Sequence, residues 1–310
     1  MLLSRFGRIA LTILSTSLLT QCGEEKKAPG PTSAAPPPPA SVVPLPAPPM
    51  KEDKEIRIYW TDELMHKEVK FYNPEYAGSG QFQIENGEPY AVSLANSKVS
   101  NLKAIQGRKL RALDLSGTQV TDLSPLKGMP LEELYLENTK VTDLFPLRGM
   151  PIQKFFLSGT PVRDISALEG MPLVEFNAVG TQIADISPLG KSPVKMLWLT
   201  DCPVENIGPL HQVPLVSVTL LRTKVRDLTP LSGTQLQRLH IAETPVEDLS
   251  PLKDVPLTRL VFTPASIKKG LDVVKAMPMA QIGTRFNDDG HDLVSPAEFW
   301  PSLEKAGGVK

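Results

Sequence analysis

Cysteine is almost missing from this chain. Its 310 residues include two, Cys22 and Cys202, too few for a disulfide framework. Histidine is scarce as well. His66, His211, His240 and His291 are the whole set. None stands in a metal-binding pair such as H-E-x-x-H, and there is no C-x-x-C. A G-x-S-x-G elbow and a phosphate-cradling loop are absent. These absences point away from catalysis, a metal site or a cofactor. Charge of one sign is also lacking. The formal net charge is −1, with no basic run to neutralise phosphates, which argues against nucleic acid as a partner. The apolar run from Ile9 to Leu19, IALTILSTSLL, falls short of the roughly 20 residues of a membrane-spanning helix. What the chain does have is apolar material for a sizeable core, at 41%, and an excess of proline. Of 31 prolines, ten lie between Pro29 and Pro49, so the excess is partly local.

Residues 1–22 read as a targeting segment. Arg5 and Arg8 precede the apolar run, as in a secretory signal peptide. The segment ends LLTQC, which resembles the lipobox of bacterial lipoproteins. Leu19, Thr20 and Cys22 match that pattern, while Gln21 stands where it has Gly, Ala or Ser. The resemblance implies an exported chain, lipid-anchored through Cys22. A plain signal peptide and an uncleaved anchor are the alternatives. Gly23 is not the Asp associated with inner-membrane retention, which implies the outer membrane, facing the periplasm or the surface. With Cys22 lipidated, Cys202 has no partner. Residues 23–54 follow as a Pro/Ala-rich tether, too poor in apolar residues to fold. Proline extends such a segment toward about 3.1 Å per residue, a spacer more than a P-x-x-P ligand. Residues 55–88 form an N-terminal cap, in which Thr61 is placed to cap a helix carrying Asp62 and Glu63 in its first turn. Leu64, Met65, Val69 and Tyr72 have helical spacing. NPEYAGSG breaks the helix, and QFQI with ENG reads as a strand and a turn.

From Leu110 onward the chain repeats itself. Leu110, Leu131, Ile152, Leu173, Val194, Leu215, Leu236 and Leu257 are spaced 21 residues apart at every step. The unit is L-x-x-L-x-L-x-x-T-x-V-x-D-L-x-P-L-x-G-x-P. A degenerate copy begins near Pro89, and the last breaks off after Ile267. Over residues 89–267 this resembles the leucine-rich repeat. The short unit is similar to repeats of bacterial exported and kinase-linked proteins, which often carry an NP-aromatic segment before and a P-x-E-F-W tail after. NPEY and SPAEFW match both. The resemblance implies an α/β solenoid: a right-handed coil with a parallel concave β-sheet and a convex side of short 3-10 turns. Caps close both ends, the C-terminal one within residues 268–310. There a helix is expected from about Ser266 through Met277. Ile267, Leu271 and Val274 are placed to shield the last rung, with Phe299 and Trp300 packed nearby.

The columns of the repeat separate scaffold from surface. In Leu113-Asp114-Leu115 the alternation marks a strand with leucines facing inward. Nine stacked rungs at roughly 4.8 Å give a sheet on the order of 40 Å long. Ser97, Thr118, Thr139, Thr160, Thr181, Cys202, Thr223 and Thr244 form a ladder in which a hydroxyl serves the backbone, and Cys202 reads as a small buried member of it. Asp122, Asp143, Asp164, Asp185, Asn206, Asp227 and Asp248 read as turn-makers, not as a cation site. Ser124 and Pro125 with their counterparts fit the N-cap and N1 positions of a 3-10 turn. NDDGHD, Asn287 to Asp292, lacks the acidic spacing of a calcium loop and reads as a polar turn.

The candidate site is the outward column of the sheet: Ser93, Asp114, Tyr135, Phe156, Asn177, Trp198, Thr219, His240 and Val261. Tyr135, Phe156 and Trp198 are large aromatics where solvent is expected. Glu133, Lys154, Glu175, Met196 and Arg238 flank them on one side. Glu137, Ser158, Val179, Thr200 and Leu221 flank them on the other. An aromatic stripe rimmed by charge is the usual appearance of a binding surface, although aromatics on neighbouring strands also stack to stiffen a sheet. Tyr135, Phe156 and Trp198 are therefore the expected anchors, with His240, Arg238, Lys154 and Met196 around them. The expected function is non-enzymatic binding of a protein or glycan partner in the cell envelope. The alternative is a structural envelope component that self-associates without a specific ligand.

Overall fold

The computed structural model describes residues 59–287 and 290–305. The targeting segment with Cys22, the proline-rich tether, residues 55–58, Asp288, Asp289 and residues 306–310 lie outside them.

One short strand per repeat unit builds a single sheet. Its parallel members are β2 (Glu88–Ser93), β3 (Ala112–Asp114), β4 (Glu133–Tyr135), β5 (Lys154–Phe156), β6 (Glu175–Asn177), β7 (Met196–Trp198), β8 (Ser217–Thr219), β9 (Arg238–His240) and β10 (Arg259–Val261). The register advances by 21 residues per rung: Leu113 faces Leu134, Leu134 faces Phe155, and Phe155 faces Phe176. That spacing puts chemically equal positions in line along the coil. The middle residue of each strand points inward, and all nine, from Val92 to Leu260, are at most 1% exposed. Pleating therefore sends the first and third residue of each strand to the opposite, concave face.

The sheet is larger than nine rungs. β1 (Gln81–Glu85) joins it antiparallel to β2 through a turn at Asn86 and Gly87, both at positive φ. β11 (Gln281–Gly283) joins parallel to β10, its register offset by 22 residues instead of 21. The sheet thus has eleven strands. Gly283 ends its last one, and the chain turns back there.

The hydroxyl ladder fixes the exit from each strand. Ser97, Thr118, Thr139, Thr160, Thr181, Thr223 and Thr244 each donate to the carbonyl three residues earlier, at 2.5–2.8 Å. Cys202 fills the remaining rung, 1% exposed, with Sγ 3.1 Å from the Ala178 carbonyl. Burial raises its thiol pKa, so the group stays protonated and inert. On the convex side the Asp column folds each 3-10 turn. Asp122 Oδ1 accepts the Ser124 N–H, and its six counterparts accept the equivalent N–H, each at 2.8 Å. The acceptor is thus the Asp carboxylate, or the Asn206 amide oxygen in one rung, two residues before the first turn residue. Ser124 is instead the first turn residue, and Leu123 occupies the N-cap position without a side-chain bond. These bonds hold Asp122, Asp164, Asp227 and Asp248 below the usual carboxylate pKa. This is an Asx turn, with every carboxylate already engaged.

Both ends of the core are covered. Helix α1 (Asp62–Tyr72) starts at Thr61, whose Oγ1 accepts the Leu64 N–H at 3.2 Å. Met65 and Val69 face the core, while Leu64 is 40% exposed. Asn73 of the NPEY segment is buried and makes a bracket. Its Nδ2 donates to the Val69 and Asn101 carbonyls, and its Oδ1 accepts from the Ser100 and Asn101 N–H groups. At the other end α2 spans only Leu271–Lys275. The expected helix from Ser266 is shorter because Gly270 starts it at φ +78, against the backbone of Ser250. A Cβ at Gly270 would stand 2.3 Å from Ser250 N. Val274 is buried there, and Ile267 and Leu271 pack partly buried beside it. Helix α3 (Pro296–Lys305) brings Phe299 to 6.0 Å from Phe262, ring to ring, with Trp300 alongside.

Candidate functional site

The concave face carries the outward columns side by side, but it is not uniformly open. Phe156, Asn177, Trp198 and Thr219 are half-buried. Tyr135 and His240, expected at the surface, are only 9% and 5% exposed. Tyr135 stacks on Phe156, with centroids 5.1 Å apart and planes at 27°, and its hydroxyl donates to Glu133 Oε2 at 3.0 Å. Phe156 in turn reaches across Asn177 to Trp198, at 6.2 Å. The three aromatics therefore form a continuous stack. Its Tyr135 end is sealed, and its Phe156 and Trp198 faces remain partly in solvent.

The rungs around His240 differ in another respect. The C-terminal tail turns back over the last rungs instead of only closing the end of the coil. A two-stranded ribbon, β12 (Phe286–Asn287) and β13 (Gly290–His291), brings Phe286 over the concave face. Leu293 packs on Leu221, Ala242 and Val261, which make a second small apolar cluster. Leu221 and Val261, expected to face solvent, are 5% and 1% exposed as a result. Asp292 pins the base of the ribbon, its Oδ1 accepting from Thr284 and Arg285 N–H at 2.9 and 2.8 Å. Phe286 escaped the sequence reading. Its signal was the run of apolar residues in outward columns at the last rungs, which requires a cover.

Between the aromatic stack and this ribbon lie two depressions sharing Trp198, Thr219, His240 and Phe286. One, of about 610 Å³, opens toward Asn177, Thr200, Asp201 and Arg222. The other, of about 180 Å³, opens toward Met196, Ser217, Arg238 and Arg259. The charges on the two sides differ. Arg222 is neutralised by Asp201 through two bonds of 2.6 and 2.7 Å, with Glu243 at 4.0 Å. Arg238 and Arg259 stand opposite each other in register. Arg259 donates to the neutral Gln281 Oε1 at 2.8 and 2.6 Å, and its guanidinium carbon lies 5.2 Å from the Phe286 ring centre. Neither arginine has a carboxylate partner among the described residues. His240 Nε2 is buried without a hydrogen-bond partner. Burial, reinforced by the nearby Arg222, lowers the His240 pKa to about 4, so the ring is neutral at neutral pH.

Lys154 and Met196 sit half-buried in the flanking column, and Lys154 Nζ is 3.0 Å from Glu133 Oε1. The structure thus brings Trp198, Met196, Arg238 and His240 together around the depressions, with Phe156 linking Trp198 to Tyr135. It leaves Tyr135 and Lys154 tied to Glu133. Among the described residues no group of acidic, His or Cys side chains could hold a metal ion. No helix there is long and apolar enough to cross a membrane.

A sheet of parallel strands, one per turn, with an inner leucine layer and 3-10 turns behind it, is a leucine-rich-repeat solenoid. No protein-family model and no curated protein matches the sequence. Solved structures do share the fold. An internalin, InlF, from Listeria monocytogenes superposes with a TM-score of 0.58 at 19% identity, over 72% of this chain and 75% of its own. A second, internalin C2 of the same organism, gives 0.54 at 23% identity, over 66% of this chain and 95% of its own.

Proposed function

We propose that the protein is a non-enzymatic binding module that grips a protein partner with the middle and C-terminal rungs of its concave face. The observation that carries this is the half-exposed Phe156–Trp198 pair beside two depressions that the described residues leave unfilled. Aromatic anchors next to pockets and arginines make up the centre of typical protein interfaces. The internalin-like solenoid agrees with this use and with an exported chain. The lipobox-like LLTQC adds an anchor at Cys22, with the outer membrane as its site and the proline-rich segment as spacer.

The test is capture from a cell-envelope extract with wild type and with a Phe156→Ala/Trp198→Ala double variant. Binding predicts proteins retained by the wild type and lost from the variant, with the variant still folded by circular dichroism. Equal retention would mean the stack is idle. Concentration-dependent light scattering without captured protein would favour the self-associating envelope component. Loss of labelled-lipid incorporation in Cys22→Ser tests the anchor separately.

A further inference from the structure

We propose that the smaller depression is a receptor for a single carboxylate of an acidic peptide segment, held by Arg238 and Arg259 between the rings of Trp198 and Phe286. This rests on the binding reading above and names the chemistry that its site selects.

Four observations converge. Volume comes first: about 180 Å³ is well under the roughly 300–1,000 Å³ of small-molecule sites. It accommodates one side chain, the scale of an interface anchor pocket. Second, the lining is cationic without compensation among the described residues. Arg238 and Arg259 are adjacent, and no Asp or Glu lines the cavity. Arg259 is oriented by a neutral amide and a ring, so its charge is positioned without being neutralised. Paired guanidinium groups match the planar carboxylate in bidentate fashion. Third, His240 Nε2 is a buried polar atom with no hydrogen-bond partner among the described residues. Such an atom costs about 1–3 kcal/mol until it is satisfied. His240 lines this cavity as well as the larger one, and the hydroxyl-bearing Ser217 and Thr219 line it too. In the Nε2–H tautomer the neutral ring is a donor, which a carboxylate oxygen satisfies. Fourth, the walls are Met196, Trp198 and Phe286, apolar surfaces suited to the methylene stem of a glutamate.

The depression on the other side of Trp198 does not share this chemistry, because Asp201 already occupies Arg222. Acceptance of an anion is thus confined to one flank, which gives a bound segment a direction across the sheet.

The experiment titrates the folded protein with a hexaglutamate peptide, acetylated and amidated, and follows the His240 and arginine side-chain NMR signals. Its hexaglutamine twin, a peptide with one free terminal carboxylate, glucuronate and inorganic phosphate are the comparison arms. The expected result is saturable shifts of His240 and Arg238 with hexaglutamate, weakened by 0.5 M salt, and none with hexaglutamine. The terminal-carboxylate arm shows which peptide carboxylate is preferred. Arg238→Gln/Arg259→Gln should weaken hexaglutamate about tenfold or more. Both positions are half-exposed, so the fold should be kept. His240→Gln serves as a second variant and should weaken it less.

Equal shifts with hexaglutamine, an unaffected arginine double variant, or tighter binding of phosphate or glucuronate would each overturn the proposal. A partner lost with Phe156→Ala/Trp198→Ala but fully retained by the arginine variant would also overturn it, while leaving the binding function intact. Absence of any capture that depends on Trp198 would instead remove the function itself.

Discussion

The rungs around Asp114 and Tyr135 and those around Trp198 and His240 belong to one concave face and come from the same repeat. They treat their polar groups differently. Around Asp114 and Tyr135 the groups bond to neighbours, with Gln83 Oε1 on the adjoining β1 the exception. Asp114 accepts the Ser116 N–H, Ser116 Oγ donates to Glu137, and Glu133 takes both the Tyr135 hydroxyl and Lys154 Nζ. At the C-terminal end Arg238 and His240 Nε2 have none among the described residues, and cavities stand beside them. Satisfied polar groups rigidify a surface, whereas buried unsatisfied ones are costly and call for an explanation. The same backbone thus carries a closed end and a receptive end, and side chains in the variable columns make the difference.

The largest effect should come from the layer the two ends share. Phe176 is fully buried and lies 6.0 Å from Phe155, ring to ring. Phe176→Ala should cost about 3–5 kcal/mol, seen as a lower urea midpoint and loss of structure at both ends together. Retention of one end alone would show that the ends are independent, against the behaviour of a stacked solenoid with nearest-neighbour coupling.

Next comes His240, which marks the receptive end. Its folded pKa of about 4 lies below the ordinary 6.5. Between those values the unfolded chain binds a proton that the folded chain does not. Stability is therefore full above about pH 6.5 and falls as pH drops toward 4, by about 2–3 kcal/mol at pH 4.5. Urea melts of wild type and His240→Gln at pH 7 and pH 4.5 should differ by that much in their pH dependence. Parallel curves would place the ring in water, and the buried receptive end would be lost as a concept.

Tyr135→Phe probes the closed end and should have a smaller effect. One hydrogen bond to Glu133 disappears, worth about 0.5–1.5 kcal/mol, while the stack on Phe156 persists. Partner capture should not change. A large loss of capture would move the binding surface toward the N-terminal rungs.

How far the sequence disclosed all this varies with the element. The coil was legible because Leu110 to Leu257 recur at one period, and a fixed period leaves one way to bury every leucine. The Asp122 and Thr118 columns were legible as turn and ladder for the same reason, although Leu123 and not Ser124 proved to hold the N-cap position, with Asp122 bonding the turn from one residue further back. NPEY announced a break without disclosing that Asn73 would bracket the first turn. The site was half legible. Phe156 and Trp198 stood out as aromatics in an outward column, yet the burial of Tyr135 and His240 did not. Tyr135 is sealed by its neighbours Phe156 and Glu133. His240 shares both depressions with Phe286, 46 positions further along a non-repeating tail. Periodicity speaks only about residues within it, so a tail folding back onto the sheet leaves no periodic trace. Leu221, Ala242 and Val261, apolar where the column should be polar, were the trace it did leave.

The smallest effect on the fold should come from Arg238→Gln. The side chain is half-exposed and has no carboxylate partner among the described residues. Changes at such positions usually fall within about 0.5 kcal/mol. Removing the charge should relieve its repulsion with Arg259 and leave the urea midpoint unchanged or slightly raised. The closed end supplies the contrast, since Lys154→Gln removes the cation from a half-buried pair with Glu133 and should lower the midpoint. If Arg238→Gln proves the more destabilising of the two, Arg238 is holding the fold together, and the asymmetry between the ends would have to be sought in Trp198 and Phe286 alone.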